Sequence, residues 1–152
     1  MASGQEHDKT TKQWAVPFAC LVALLVDTRS GVISRVAFLI GGLWLSPDLD
    51  TNSRSLKRWG ILQWCWWPYR KFISHRSILS HGPFIGTVLR IGYLSILTTI
   101  IILFLQPFIS LTPTNAILQA NHFVIENPKE SLTCFIGVEA SAWLHIIQDG
   151  DP

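Results

Sequence analysis

From Ile91 to Ile125 the sequence carries no Asp, Glu, Lys or Arg. Within that run Ile91 to Leu111 is 21 residues, which as a helix covers about 31 Å, the thickness of a bilayer's hydrocarbon core. Lipid offers no partner for backbone N–H and C=O groups, so such a stretch must be helical. Ile100 to Leu105 is its apolar centre, and Pro107 kinks or ends it. Composition agrees: 49% of residues are apolar and only 14% charged, against about a quarter in soluble domains. Mean hydropathy is +0.33. That apolar content excludes disorder. A formal charge of +2, from 12 cations and 10 acids, excludes a strongly basic nucleic-acid binder.

Three further apolar segments are shorter: Trp14 to Val26, Val32 to Leu45 with Arg35 near one end, and Leu132 to Ile147, which contains Glu139 and His145. Segments this short suit buried core helices or re-entrant hairpins, or full crossings completed by flanking residues and snorkelling cations. At 152 residues the expectation is one membrane-embedded helical domain, 1–152, all-α, with four helices in an up-down bundle. Leu25 to Arg29 lacks a small-x-small cleavage pattern, so the first run reads as an uncleaved anchor. Seven of the 12 cations fall between Arg54 and Arg90. The positive-inside rule then makes the 51–81 connection, and with four crossings both termini, cytoplasmic. That connection interleaves Trp59, Trp64, Trp66, Trp67 and Tyr69 with Lys57, Arg58, Arg70 and Lys71. It reads as an interfacial loop against anionic lipid, with the bilayer rather than nucleic acid as partner. Cys20, Cys65 and Cys134 form no C-x-x-C pair and carry no expected role.

Ionisable groups against apolar segments are costly and point to function. Four clusters stand out. His7-Asp8 precedes the first apolar run. Ser46-Pro47-Asp48-Leu49-Asp50 closes the second; in an extended continuation Asp48 and Asp50 point the same way and offer two carboxylates to one cation. His75-Arg76-Ser77-Ile78-Leu79-Ser80-His81-Gly82-Pro83 precedes the third, with Pro83 suited to the first helical position and Arg76 to holding an anion. His145 and Asp149 end the fourth, four residues apart on one helix face. Glu139 lies about 120° off that face and reads as a buried partner; His122 falls in the connection at the opposite end. An up-down-up-down bundle brings all four clusters to one cytoplasmic end, where facing helices can build a metal site.

These motifs, together with Gly42-Leu43-Trp44-Leu45 ahead of Ser46 and Lys57-Arg58-Trp59-Gly60, resemble an uncharacterised family of bacterial metal-binding integral membrane proteins. They also resemble the wider group of membrane-bound metal-dependent hydrolases and, distantly, zinc-dependent phospholipase C. The resemblance spans nearly the whole chain. It implies metal binding at His7, Asp48, Asp50, His81, His145 and Asp149, with His75 nearby.

The expected cofactor is a divalent ion, zinc first with manganese or iron as alternatives. Seven candidate ligands exceed the four of one tetrahedral zinc, so two ions are considered. The expected activity is metal-dependent hydrolysis of a phospholipid or lipid-linked phosphoester in the bacterial cell membrane. One of Asp48, Asp50 or Asp149 serves as general base, Asp50 being the choice, and Arg76 holds a phosphoryl oxygen. The alternative is a non-catalytic metal-binding or metal-sensing membrane protein.

Overall fold

The computed structural model describes residues 2–150, and every regular element in them is helical. Eight α-helices replace the expected four: α1 Gly4–Leu25, α2 Thr28–Leu43, α3 Arg54–Lys57, α4 Trp67–Phe72, α5 Ile78–His81, α6 Ile85–Leu105, α7 Pro113–Glu126 and α8 Pro128–Asp149. Two 3-10 turns, Pro47–Asp50 and Gly60–Trp66, complete the chain.

The differences have local causes. Helix α1 begins ten residues before Trp14 because Ser3 and Glu6 form a capping box that starts a polar first turn. His7 and Asp8 therefore lie inside a helix rather than ahead of one. Helix α6 ends at Leu105, before Pro107, but starts at Ile85, so Pro83 sits in the preceding link and not at its first position. The presumed connection after Leu111 folds as α7, entered by a Thr112 cap and Pro113.

Helix α2 is the central element, packed along α1 on one side and α8 on the other. Close approach depends on small residues. A Cβ on Gly41 would lie 2.9 Å from the Val138 backbone, and one on Gly137 would lie 2.7 Å from Ala37 Cβ. Small residues at such crossings let two backbones approach, as in helix pairs of membrane proteins. Asp27 caps α2 and pairs with Lys129 at the start of α8; that lysine holds the Asp27 carboxyl down at about 2.

The Trp-rich 51–81 connection is not a simple interfacial loop. Trp66 and Tyr69 are buried with Leu49 and Leu56, and Trp59 and Tyr93 pack around them. The Trp66 ring lies 5.2–5.4 Å from those of Trp59, Tyr69 and Tyr93. This second small core carries the Pro47–Asp50 turn on its edge. Trp64 and Trp67 remain outside, with Lys71 Nζ over the Trp67 ring. Arg58 ties the connection to the bundle by donating to the Leu43 carbonyl at the end of α2 and pairing with Asp8 of α1.

Two stretches, Thr28–Asp50 and Ile85–Leu105, are long and apolar enough to cross a membrane by length and composition. They differ in setting: in the most apolar 18 residues of each, 56% are buried inside the molecule in the first but only 11% in the second.

Candidate metal centre

The four clusters meet at one end of the bundle. The first turns of α1 bring His7, the 3-10 turn brings Asp48 and Asp50, α5 and the link before it bring His81 and His75, and the last turn of α8 brings His145 and Asp149. Asp48, His81, His145 and Asp149 each offer one ligand atom, all within 4.8 Å of one another. His145 Nε2 lies 3.4 Å from Asp48 Oδ1 and 3.6 Å from Asp149 Oδ2, and His81 Nε2 lies 4.0 Å from Asp48 Oδ1. A tetrahedral ion with bonds near 2.0–2.1 Å separates its ligand atoms by about 3.3 Å, so small side-chain shifts suffice to close this set.

Both imidazoles are presented for coordination. Each is about 95% buried, and the Nε2 atoms of His81 and His145 have no hydrogen-bond partner among the described residues. Orphaned buried nitrogens are costly without a partner. Their other nitrogens are engaged: His145 Nδ1 pairs with the Ser46 hydroxyl at 3.3 Å and His81 Nδ1 with the Ser80 hydroxyl at 2.9 Å. Because Ser80 Oγ donates to backbone carbonyls of Ser74 and Ser77, it accepts from His81 Nδ1–H, which leaves the lone pair on Nε2. Burial pushes the His81 imidazole below its ordinary value, against the opposing pull of Asp50. A neutral ring with a free, buried Nε2 is the form a divalent cation takes up. The donor set of two imidazoles and two carboxylates suits zinc, manganese or iron.

Asp50 has a different environment. The Pro47–Asp50 segment is a 3-10 turn, not an extended strand, and in such a turn residues two apart lie about 240° apart. Asp48 and Asp50 therefore do not offer two carboxylates side by side. Asp50 faces His75 Nδ1 at 3.1 and 3.2 Å from its two oxygens, and His81 Nδ1 at 3.7 Å. Its side chain is fully buried while that of His75 is 39% exposed. Asp50, His75 and His81 form a second His/Asp group. One neutral imidazole has one lone pair, and that of His81 lies on the Asp48 side.

His7 joins the cluster through other contacts. Its ring stacks on His145 at 3.8 Å, its Nδ1 meets Gln148 Oε1 at 2.9 Å and its Nε2 meets Asp149 Oδ1 at 3.2 Å. The Ala2 N–H also donates to Asp149. Arg76 is exposed, in the left-handed region with φ 58°, a conformation non-glycine residues rarely hold. Glu139 is buried and accepts from the Phe84 N–H at 2.8 Å. Remote from all this, His122 lies exposed on α7 beside Glu126. Sequence reasoning missed Ser46, Ser80 and Gln148, which orient the three buried histidines, and the role of Asp8 as the acceptor for Arg54 and Arg58. A serine next to a ligand-like residue, as in Ser80-His81, is the one signal that pointed to them.

Among known proteins, the chain is similar over 72 residues to an uncharacterized protein of Aquifex aeolicus, at 38% identity. That match covers 47% of this chain and 50% of the relative, so the chain spans about half the length of the relative it matches. No solved structure matches. A family model described as "Uncharacterized metal-binding protein (DUF2227)" matches residues 2–151. The residues from the start of α1 to the end of α8, and with them all the donors above, lie within that match, and the chain belongs to this family of metal-binding proteins.

Proposed function

We propose that the chain is an integral membrane, metal-dependent hydrolase with one divalent cation held by Asp48, His81, His145 and Asp149. The observation that carries this reading is the pair of buried Nε2 atoms without partners facing two carboxylates. Zinc fits the four-donor set best, with manganese or iron as alternatives. When bound, such an ion would supply Lewis acidity to an ester or phosphoryl oxygen, and would make water more acidic only at a position beyond the four donors or in place of one of them. His7 and Gln148 hold the last turn of α8 so that Asp149 stays aimed at the cluster. Asp50 would be the general base, with the half-exposed His75 hydrogen-bonded to it and open to solvent. Arg76 binds a phosphoryl oxygen of the substrate.

A lipid-linked phosphoester is the favoured substrate class. Helix α6 leaves most of its apolar side chains outside the molecule, burying only Gly86, Thr87, Arg90 and Ile102, and no acidic residue occurs between Asp50 and Glu126. Lys57, Arg70 and Lys71 beside the exposed Ile61, Trp64 and Trp67 suit the headgroup layer of an anionic bilayer. On this reading the site faces the cytoplasm. Metal content of the detergent-purified full chain, beside a His81→Ala/His145→Ala double variant, tests the reading. Near-stoichiometric metal that disappears in the variant supports it; no metal in either, even after reconstitution with zinc, manganese or iron, removes it. Turnover of bis(p-nitrophenyl) phosphate by the loaded chain then separates an enzyme from a pure metal binder.

A further inference from the structure

The segment that carries His81 is held by contacts reaching in from α6 and α8. Arg90 on α6 is 1% exposed, an unusual place for a guanidinium. Its Nη1 donates to the Ser80 carbonyl at 2.7 Å and its Nη2 to Thr87 Oγ1 at 3.0 Å. The same Ser80 supplies, through its hydroxyl, the acceptor for His81 Nδ1. Gly86 makes the approach feasible, since a Cβ there would stand 2.6 Å from the Ser80 carbonyl oxygen and 3.3 Å from Arg90 Nη1. On the other side of His81, Glu139 of α8 accepts from the N–H of Phe84. Phe84 sits at φ 60°, a strained conformation that persists only where its surroundings impose it.

We infer that Arg90 is a positioning residue for the metal centre, acting through Ser80 on the tautomer and direction of His81, and that Glu139 fixes the link that follows. A guanidinium is suited to this. It is charged at any accessible pH, its donors are set in a rigid fork, and a buried hydrogen bond from a charged donor is stronger than a neutral one. Burying it costs desolvation energy that an apolar residue at position 90 would avoid; that cost is explained when the carbonyl it holds belongs to the residue orienting a ligand. Groups that orient a coordinating imidazole typically change metal affinity 10–100-fold when removed.

The inference rests on the proposed ligand set, and its test separates the two. The full chain in detergent, as wild type, Arg90→Gln, Arg90→Lys, Gly86→Ala and Glu139→Gln, is titrated with Zn2+ against a chromophoric chelator. The visible absorption of each Co2+-loaded form and the helical circular dichroism of each are recorded alongside. Arg90→Gln is expected to weaken Zn2+ binding by about 10–100-fold and to change the Co2+ bands, with Arg90→Lys recovering part of both. Gly86→Ala, which keeps the charge but displaces the Ser80 carbonyl, shifts the Co2+ bands in a chain of unchanged helix content. Glu139→Gln retains an acceptor for Phe84 and stays within a few-fold of wild type. If Arg90→Gln fails to fold, the Gly86→Ala spectrum decides alone. Wild-type affinity and spectrum in both Arg90→Gln and Gly86→Ala would overturn the inference and leave the ligand set standing. Absence of Zn2+ binding by the wild type would overturn the ligand set itself.

Discussion

Along α8, eight residues from Thr133 to Ile146 are buried, whereas α7, separated from it by Asn127 alone, buries none. The same contrast divides the molecule. The α1–α2–α8 unit packs through glycine, alanine and serine and carries His7, His145 and Asp149 to one end. The α6–α7 arm is richer in large apolar residues but packs few of them; Phe104 is 78% exposed and Ile125 77%. Apolar content and internal packing are thus uncoupled here. In water the hydrophobic effect drives large apolar side chains inward. In lipid it does not, and close packing of small residues takes over as the source of helix association. The inner unit holds the polar site by close packing, and the outer arm leaves most of its apolar side chains exposed.

The contrast can be broken at several places. The largest effect is expected on turnover: Asp50→Asn should lower hydrolysis by about 10²–10⁴-fold, the usual contribution of a general base, while metal content stays at the wild-type level. Parallel loss of metal would make Asp50 a ligand and redraw the site. Next, Leu56→Ala in the small core beneath the Pro47–Asp50 turn should cost about 2–5 kcal/mol in denaturant unfolding. The exposed Phe104→Ala on α6 should change stability by under about 0.5 kcal/mol in detergent. Equal effects would mean that α6 packs as tightly as the inner unit. Gly41→Leu sharpens the same point, since crowding the α2–α8 crossing should cost about 1–3 kcal/mol or more.

The smallest effect concerns pH. The fold holds His81 below its ordinary value by burial, so the unfolded chain takes up a proton at higher pH than the folded one does. Metal-free stability is therefore intact above the unfolded value of about 6.5 and falls as pH drops from there toward the lowered folded value. Thermal unfolding of the metal-free chain between pH 8 and pH 5 reads this directly. His81→Gln should flatten that part of the profile.

Much of the site was legible because its residues stand at helix ends, and alternating helices return every second end to the same side. That argument needed only the order of His7, Asp48, Asp50, His75, His81, His145 and Asp149 along the chain. It could not separate Asp48 from Asp50, since their divergence comes from a 3-10 turn that Ser46 and Pro47 begin. Nor could it distinguish His7, whose two nitrogens both contact oxygens at hydrogen-bond distance, from His81 and His145, whose Nε2 atoms make no hydrogen bond. The short helices of the 51–81 segment escaped notice because aromatic side chains interleaved with cations show no helical period. Helix α7 was hidden by Asn115, Gln119, Asn121 and His122, which make its sequence look like a connection, although Thr112 and Pro113 mark a helix start.

The central claim is a single cation held by two imidazoles and two carboxylates. X-ray absorption at the zinc edge on the Zn2+-reconstituted full chain, with metal stoichiometry from the same sample, tests it most directly. The account predicts one zinc per chain and scattering from two imidazoles, with oxygen filling the remaining positions, reduced to one imidazole in His145→Ala. Zinc with no imidazole scattering, or an unchanged spectrum in His145→Ala, would contradict it.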